Sequence, residues 1–143
     1  EIRRVGENVE SGYLTMGMNG REINLTQNAR ERALFRFNTL RDEGGHVSIE
    51  VGMANVQLAV RTPFLCADGG AKVLASRRRV FNAWEKFTVE RNPENNQYRI
   101  RCKRDKEYWH FDTFRNRLIL RHRNRKEAGF KCDYFEIRRR NGV

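Results

Sequence analysis

Proline is scarce, with two residues in a chain of 143. There is no long Ser/Gly tract either, so a linker or a disordered half is not expected, and the length suits one domain with one core. No apolar run approaches the roughly eighteen residues that a membrane-crossing helix needs. No secretory leader is visible after Glu1, and no membrane contact is expected. Cysteine is equally sparse. Cys66, Cys102 and Cys132 are odd in number and have no close pair, which argues against a disulfide framework. No Cys-x-x-Cys pattern points to zinc. Each cysteine lies in an apolar pattern and is expected as a buried free thiol, which fits a reducing compartment and favours the cytoplasm.

Catalytic and metal signatures are missing as well. His46, His110 and His122 are far apart and show no ligand spacing, so no metal is assigned. Gly69-Gly70-Ala71-Lys72 lacks the spacing of a phosphate loop. No serine sits in a nucleophile elbow, and no Cys–His pair is indicated. Asp68 and Glu85 fall at turn or strand positions. The expectation is a protein that is not an enzyme and needs no cofactor.

What the chain does have is positive charge. The net charge is +11, and residues 97–143 hold fifteen Lys/Arg against six Asp/Glu. An acidic partner is therefore expected, with its site on the last third. Hydrophobic residues make up 38% and charged residues 33%, polar for a globular domain but spread evenly enough to fold.

The stretch Pro63 to Glu90 sets the pattern. Phe64-Leu65-Cys66-Ala67 and Lys72-Val73-Leu74-Ala75 flank Asp68-Gly69-Gly70, a hairpin signal because glycine reaches positive φ cheaply. A third run, Trp84 to Val89, follows the basic loop Arg77 to Arg79. It alternates, with Phe87 and Val89 on one side and Lys86, Thr88 and Glu90 on the other, as a half-buried strand does. Weaker copies lie on both sides. Tyr13-Leu14-Thr15 and Tyr108-Trp109-His110 match Phe64-Leu65-Cys66, while Ile23 and Leu118 match Val73. Phe35-x-Phe37 and Phe135-x-Ile137 match Phe87-x-Val89.

A fourth strand precedes each aromatic run. Gln97 to Cys102 alternates cleanly, with Tyr98, Ile100 and Cys102 inward and Arg99, Arg101 and Lys103 outward. Before Phe64 there are two candidates, His46 to Val51 and Asn55 to Val60, and the sequence does not choose between them. Glu1 to Val9 is weak and polar, a frayed edge or a trimmed first strand. Asn28 to Leu34 and Asn124 to Ala128 read as single turns. Short strands with turn signals between them indicate an all-β barrel or sandwich. Three four-strand units, about 1–45, 46–96 and 97–143, make a single β-trefoil, because one unit alone cannot bury its apolar face. The expected inward set is Leu14, Ile23, Leu25, Phe35, Phe37, Leu65, Val73, Phe87, Val89, Ile100, Trp109, Leu118, Leu120, Phe135 and Ile137. Trp84 is also expected in the core.

The residues Phe64, Leu65, Ala67, Gly69, Gly70, Ala75, Arg77, Trp84, Glu85 and Phe87 resemble the repeat of the fascin-like, or actin-crosslinking-like, β-trefoils. The likeness runs over Val56 to Glu90. The Trp-Glu pair occurs in the middle unit alone; Arg32 and Cys132 stand where Trp84 does. The resemblance implies a non-catalytic module that docks on actin filaments. Similar modules attached to glycoside hydrolases imply polysaccharide instead, and growth-factor trefoils, whose rhythm VSIEVGMAN shares, imply a sulfated glycan. The Gln-x-Trp signature of ricin-type lectins is absent.

The candidate contact is a basic face. Arg99, Arg101 and Lys103 share one strand face, and Arg117, Arg121 and Arg123 share another. Arg77, Arg78 and Arg79 form a basic loop expected to join the contact. Outward guanidinium groups on neighbouring strands suit carboxylate or phosphate through paired hydrogen bonds. An actin filament is the favoured partner, with glycan or nucleic-acid backbone as alternatives, and the chain is expected to act as a monomer. Phe81 and Phe114, at loop tips, are further candidates for ligand contact.

Overall fold

A computed structural model describes residues 1–5, 11–17, 21–41, 44–53, 64–68, 72–76, 83–102, 107–122 and 133–138. The described residues form strands and a single 3-10 turn, and none is α-helical. No helix among them is long and apolar enough to cross a membrane. The strands are β1 (Ile2–Val5), β2 (Gly12–Met16), β3 (Ile23–Thr26), β4 (Ala33–Thr39), β5 (Val47–Met53), β6 (Phe64–Asp68), β7 (Lys72–Ser76), β8 (Phe87–Asn92), β9 (Gln97–Cys102), β10 (Glu107–Asp112), β11 (Arg117–His122) and β12 (Tyr134–Ile137).

Seven of them close a ring in the order β10-β11-β7-β6-β5-β8-β9, shut by the pairing of β9 with β10. Strand β12 pairs with β9 and carries β1, β2 and β3 in succession, while β4 pairs with β5. Strand β1 also lies against β4, and β3 against β7 and β11. The architecture is thus an all-β closed barrel with added strands, and closure removes most free edges.

Register follows the apolar alternation. Phe35 and Phe37 face Val51 and Ile49; Phe87 and Val89 face Cys102 and Ile100; Phe135 and Ile137 face Arg4 and Ile2. In the hairpins, Leu14 faces Leu25, Leu65 faces Ala75, and Trp109 faces Leu120. A slip of one residue would turn each apolar set outward, so the buried face fixes the register. All fifteen expected inward residues join the core: ten are buried, and Leu25, Phe35, Phe37, Val89 and Ile137 pack against them half-buried. Trp109 has no exposed surface and meets Phe87 and Phe135 edge-on, at 5.5 and 6.1 Å between ring centres.

Some expectations change. Within Glu1 to Val9, the described Ile2–Val5 is not a frayed edge: it is paired on both sides, and Ile2 is fully buried. The strand predicted from Trp84 begins only at Phe87, and Trp84 is half-buried in the turn before it. There its carbonyl accepts from the Ala67 N–H at 2.8 Å. Val47–Met53 is a strand, paired with β4, β6 and β8, whereas the rival Asn55 to Val60 lies outside the described residues. The turn expected within Asn28 to Leu34 is the 3-10 turn Ala29–Glu31, capped by the Asn28 side chain on the Arg30 N–H. Asn124 to Ala128 lies outside the described residues. Cys66 and Cys102 are buried free thiols, as expected, and Cys132 lies outside the described residues.

Two hairpin turns share one construction. Asn92 accepts from the Glu94 N–H at 3.1 Å, and Asp112 accepts from the N–H groups of Phe114 and Arg115 at 3.1 and 3.3 Å. Each turn ends on an asparagine with positive φ, 56° at Asn96 and 51° at Asn116. Asparagine tolerates that region better than other side chains because its amide bonds locally.

Candidate binding face

The alternation of β9 turns Ile100 and Cys102 into the core and leaves Arg99 and Arg101 outside. The neighbouring β10 brings Tyr108 opposite Arg101, and β11 brings Arg121 opposite Tyr108. Directly opposed residues share a face, so Arg101, Tyr108 and Arg121 form a row across three strands, with Arg99 beside it. Arg117 lies at the other end of β11, opposite Asp112, and reaches Glu22, just before β3, at 4.0 Å. The structure therefore brings Arg99, Arg101 and Arg121 together and sets Arg117 apart. Arg77, Arg78, Arg79, Lys103 and Arg123 lie outside the described residues, as does Phe81. Phe114 is 95% exposed at the tip of the β10–β11 hairpin.

The sequence stretch around the arginines is poor in acids, yet the face is not unpaired. Its carboxylate comes from the next strand. Glu90 on β8 sits opposite Arg99 in register and takes a 2.8 Å hydrogen bond from its Nε. The same carboxylate stands 3.6 Å from Arg101 and accepts from the Tyr108 hydroxyl at 3.0 Å. The Arg99 guanidinium lies 5.0 Å above the centre of the Tyr108 ring. Partial burial acts to lower the Arg99 pKa, but the Glu90 charge and hydrogen bond, with the two tyrosines, raise it above the ordinary value. The guanidinium is thus a permanent, held cation. Sequence reading missed Glu90 as its partner, although the outward side of its alternation was legible.

A second charged cluster lies inside. Arg4 and Asp133 are both nearly excluded from solvent and are joined through Nε to Oδ2 at 2.9 Å and Nη2 to Oδ1 at 3.2 Å. Asp133 also accepts from the Phe111 N–H, and His110 Nδ1 stands 3.5 Å away. Burial pushes the Asp133 carboxyl upward, but contacts with His110, the Phe111 N–H and Arg4 more than reverse this and hold it below the usual carboxylate range. Glu85 is fully buried too, with the Cys66 thiol 4.0 Å from its Oε1. Both acids precede a core phenylalanine by two residues, Phe87 and Phe135. That spacing is a usable signal: a charge on the inward side of an alternating strand must have a partner. Among the described residues no group of three or more His, Cys, Asp or Glu stands close enough to hold a metal ion.

No protein-family model matches the sequence, and comparison with curated proteins finds no match.

Proposed function

We propose that the chain is a β-trefoil of the fascin-like kind and a non-catalytic binding module that docks its arginine face on an acidic macromolecule, with the actin filament as first candidate. The trefoil reading is supported by the threefold register of strand pairs: Phe35–Val51, Phe87–Cys102 and Phe135–Arg4 hold the same relation in three sectors. It is supported also by the three hairpins β2–β3, β6–β7 and β10–β11, whose second strands adjoin one another. The family reading rests on the motif from Phe64 to Phe87.

The observation that carries the docking role is the row Arg101–Tyr108–Arg121 with Arg99 beside it. Arg99 and Arg101 on β9 share one nearby carboxylate, Glu90, and Arg121, across β10, adds a third guanidinium to the same face. Such a surface attracts acidic partners and speeds encounter at low salt. Co-sedimentation with actin filaments at two salt concentrations tests the role, with an insoluble glucan run alongside. The expected result is filament binding that weakens at the higher salt and is lost in the double variant Arg101→Glu, Arg121→Glu. Pelleting with the glucan alone, without salt dependence, would replace the acidic partner with polysaccharide. Binding to neither would remove both.

A further inference from the structure

The geometry points to a recessed oxyanion site between β8, β9 and β12, a reading that goes beyond filament docking although it shares Arg99 and Glu90 with the docking face. A groove of about 260 Å³ is lined by Glu90, Arg91, Asn92, Pro93, Arg99 and Tyr134. Register explains the assembly. Glu90 faces Arg99 across β8–β9, and Phe135 faces Tyr98 across β9–β12, which sets Tyr134 beside Arg99. The end of β8, Arg91 and Asn92, and Pro93 just after it supply the remaining wall.

The groove has more donors than acceptors. The acceptor Glu90 is already engaged by Arg99 Nε, Tyr108 and Arg101. Arg99 spends only Nε on it, and no hydrogen bond to another described residue engages its two terminal nitrogens. Arg91 gives Nε and Nη2 to the Asn96 side chain, which leaves Nη1. The Tyr134 hydroxyl likewise has no hydrogen-bond partner among the described residues, although its side chain is only half exposed. Arg99 is held on one edge by Glu90 and on its face by Tyr108, so its free edge is presented without further loss of side-chain freedom. Two cations, Arg91 and Arg99, and one carboxylate, Glu90, line the groove, and Arg101 stands against that same carboxylate from outside the lining. Surplus donors and surplus positive charge in a concave site call for a compact, acceptor-rich anion: a sulfate or phosphate ester, or a carboxylate.

Arginine side-chain NMR tests this on the full chain. Nε–Hε signals are followed while sodium sulfate, a phosphate monoester or acetate is added, each against sodium chloride at equal ionic strength. Saturable shifts are expected at Arg91 and Arg99, with exposed Arg30 and Arg36 following chloride. Arg99→Gln raises the apparent Kd about tenfold or more, and Tyr134→Phe raises it about two- to tenfold. Arg91→Gln leaves the Glu90–Arg99 pair in place and still weakens binding, which keeps the test intact if Arg99→Gln unfolds. Saturation by sulfate and phosphate alone assigns an ester; saturation by acetate as well assigns an acidic side chain. Shifts no larger than those in chloride, or equal shifts at Arg30 and Arg36, overturn the site, whatever the outcome of filament binding.

Discussion

Arg4 on β1 and Asp133, which precedes β12, are 129 residues apart in the chain and share two hydrogen bonds in the interior, at 2.9 and 3.2 Å. They stand where the first strand meets the last, and the Phe111 N–H and His110 add contacts from β10. Removing one partner leaves the other as an uncompensated buried charge, a loss of about 3–5 kcal/mol. Asp133→Ala is therefore expected to lower the urea midpoint of unfolding strongly. The paired change Arg4→Met, Asp133→Leu is expected to recover most of that loss, because well-packed apolar replacements of buried ion pairs are often neutral or better. Urea titration of the single and double variants checks both statements.

The same pair sets an acid response. Because the Asp133 carboxyl is held below its ordinary value of 3.8, the unfolded chain binds its proton more readily than the folded one. Its stabilising contribution is complete above that ordinary value and is lost as pH falls from it through the lower folded value. Unfolding free energy measured between neutral pH and the acid transition should fall with pH in the wild type. In Asp133→Asn that portion of the slope should be absent.

Trp109 offers a test of the core. Fully buried between Phe87 and Phe135, it joins β10 to β8 and β12. Trp109→Ala removes a large apolar surface and two edge-to-face contacts, at a cost of about 3–5 kcal/mol. Trp84→Ala should cost less, since Trp84 is only half-buried in a turn. Thermal melts of the two variants give the order; a larger loss at Trp84 would contradict it.

How much of this was legible follows from what period-two alternation can and cannot carry. Ile100 and Cys102 alternate with Arg99 and Arg101, so their faces could be read residue by residue. The barrel's inner set could be read for the same reason, since apolar spacing is local. Glu90 as the partner of Arg99 could not, because it depends on β8 lying beside β9 in a particular register. Arg4 and Asp133 were hidden more deeply. Each is a charged residue on a core-facing position, and local pattern assigns such residues to the surface unless a partner 129 residues away is known. Trp84 misled for the opposite reason: an apolar residue next to a strand reads as part of it, yet its carbonyl is used to close a turn against Ala67.

Glu90 provides the prediction that connects stability with binding. Its side chain retains about a quarter of its exposure, so solvent screens its bonds to Arg99 and Arg101. Glu90→Gln should then change stability by about 1 kcal/mol or less. The electrostatic effect on a partner should be larger than that on the fold. Losing the carboxylate leaves Arg99 and Arg101 without their shared counter-charge, and an acidic ligand should bind more tightly at low salt, with a steeper salt dependence. Actin co-sedimentation and sulfate titration of Glu90→Gln at two ionic strengths measure this directly. If Glu90 instead contributes a required acceptor to a neutral sugar, the same variant weakens binding and leaves the salt response flat, so the sign of one change separates the two kinds of partner.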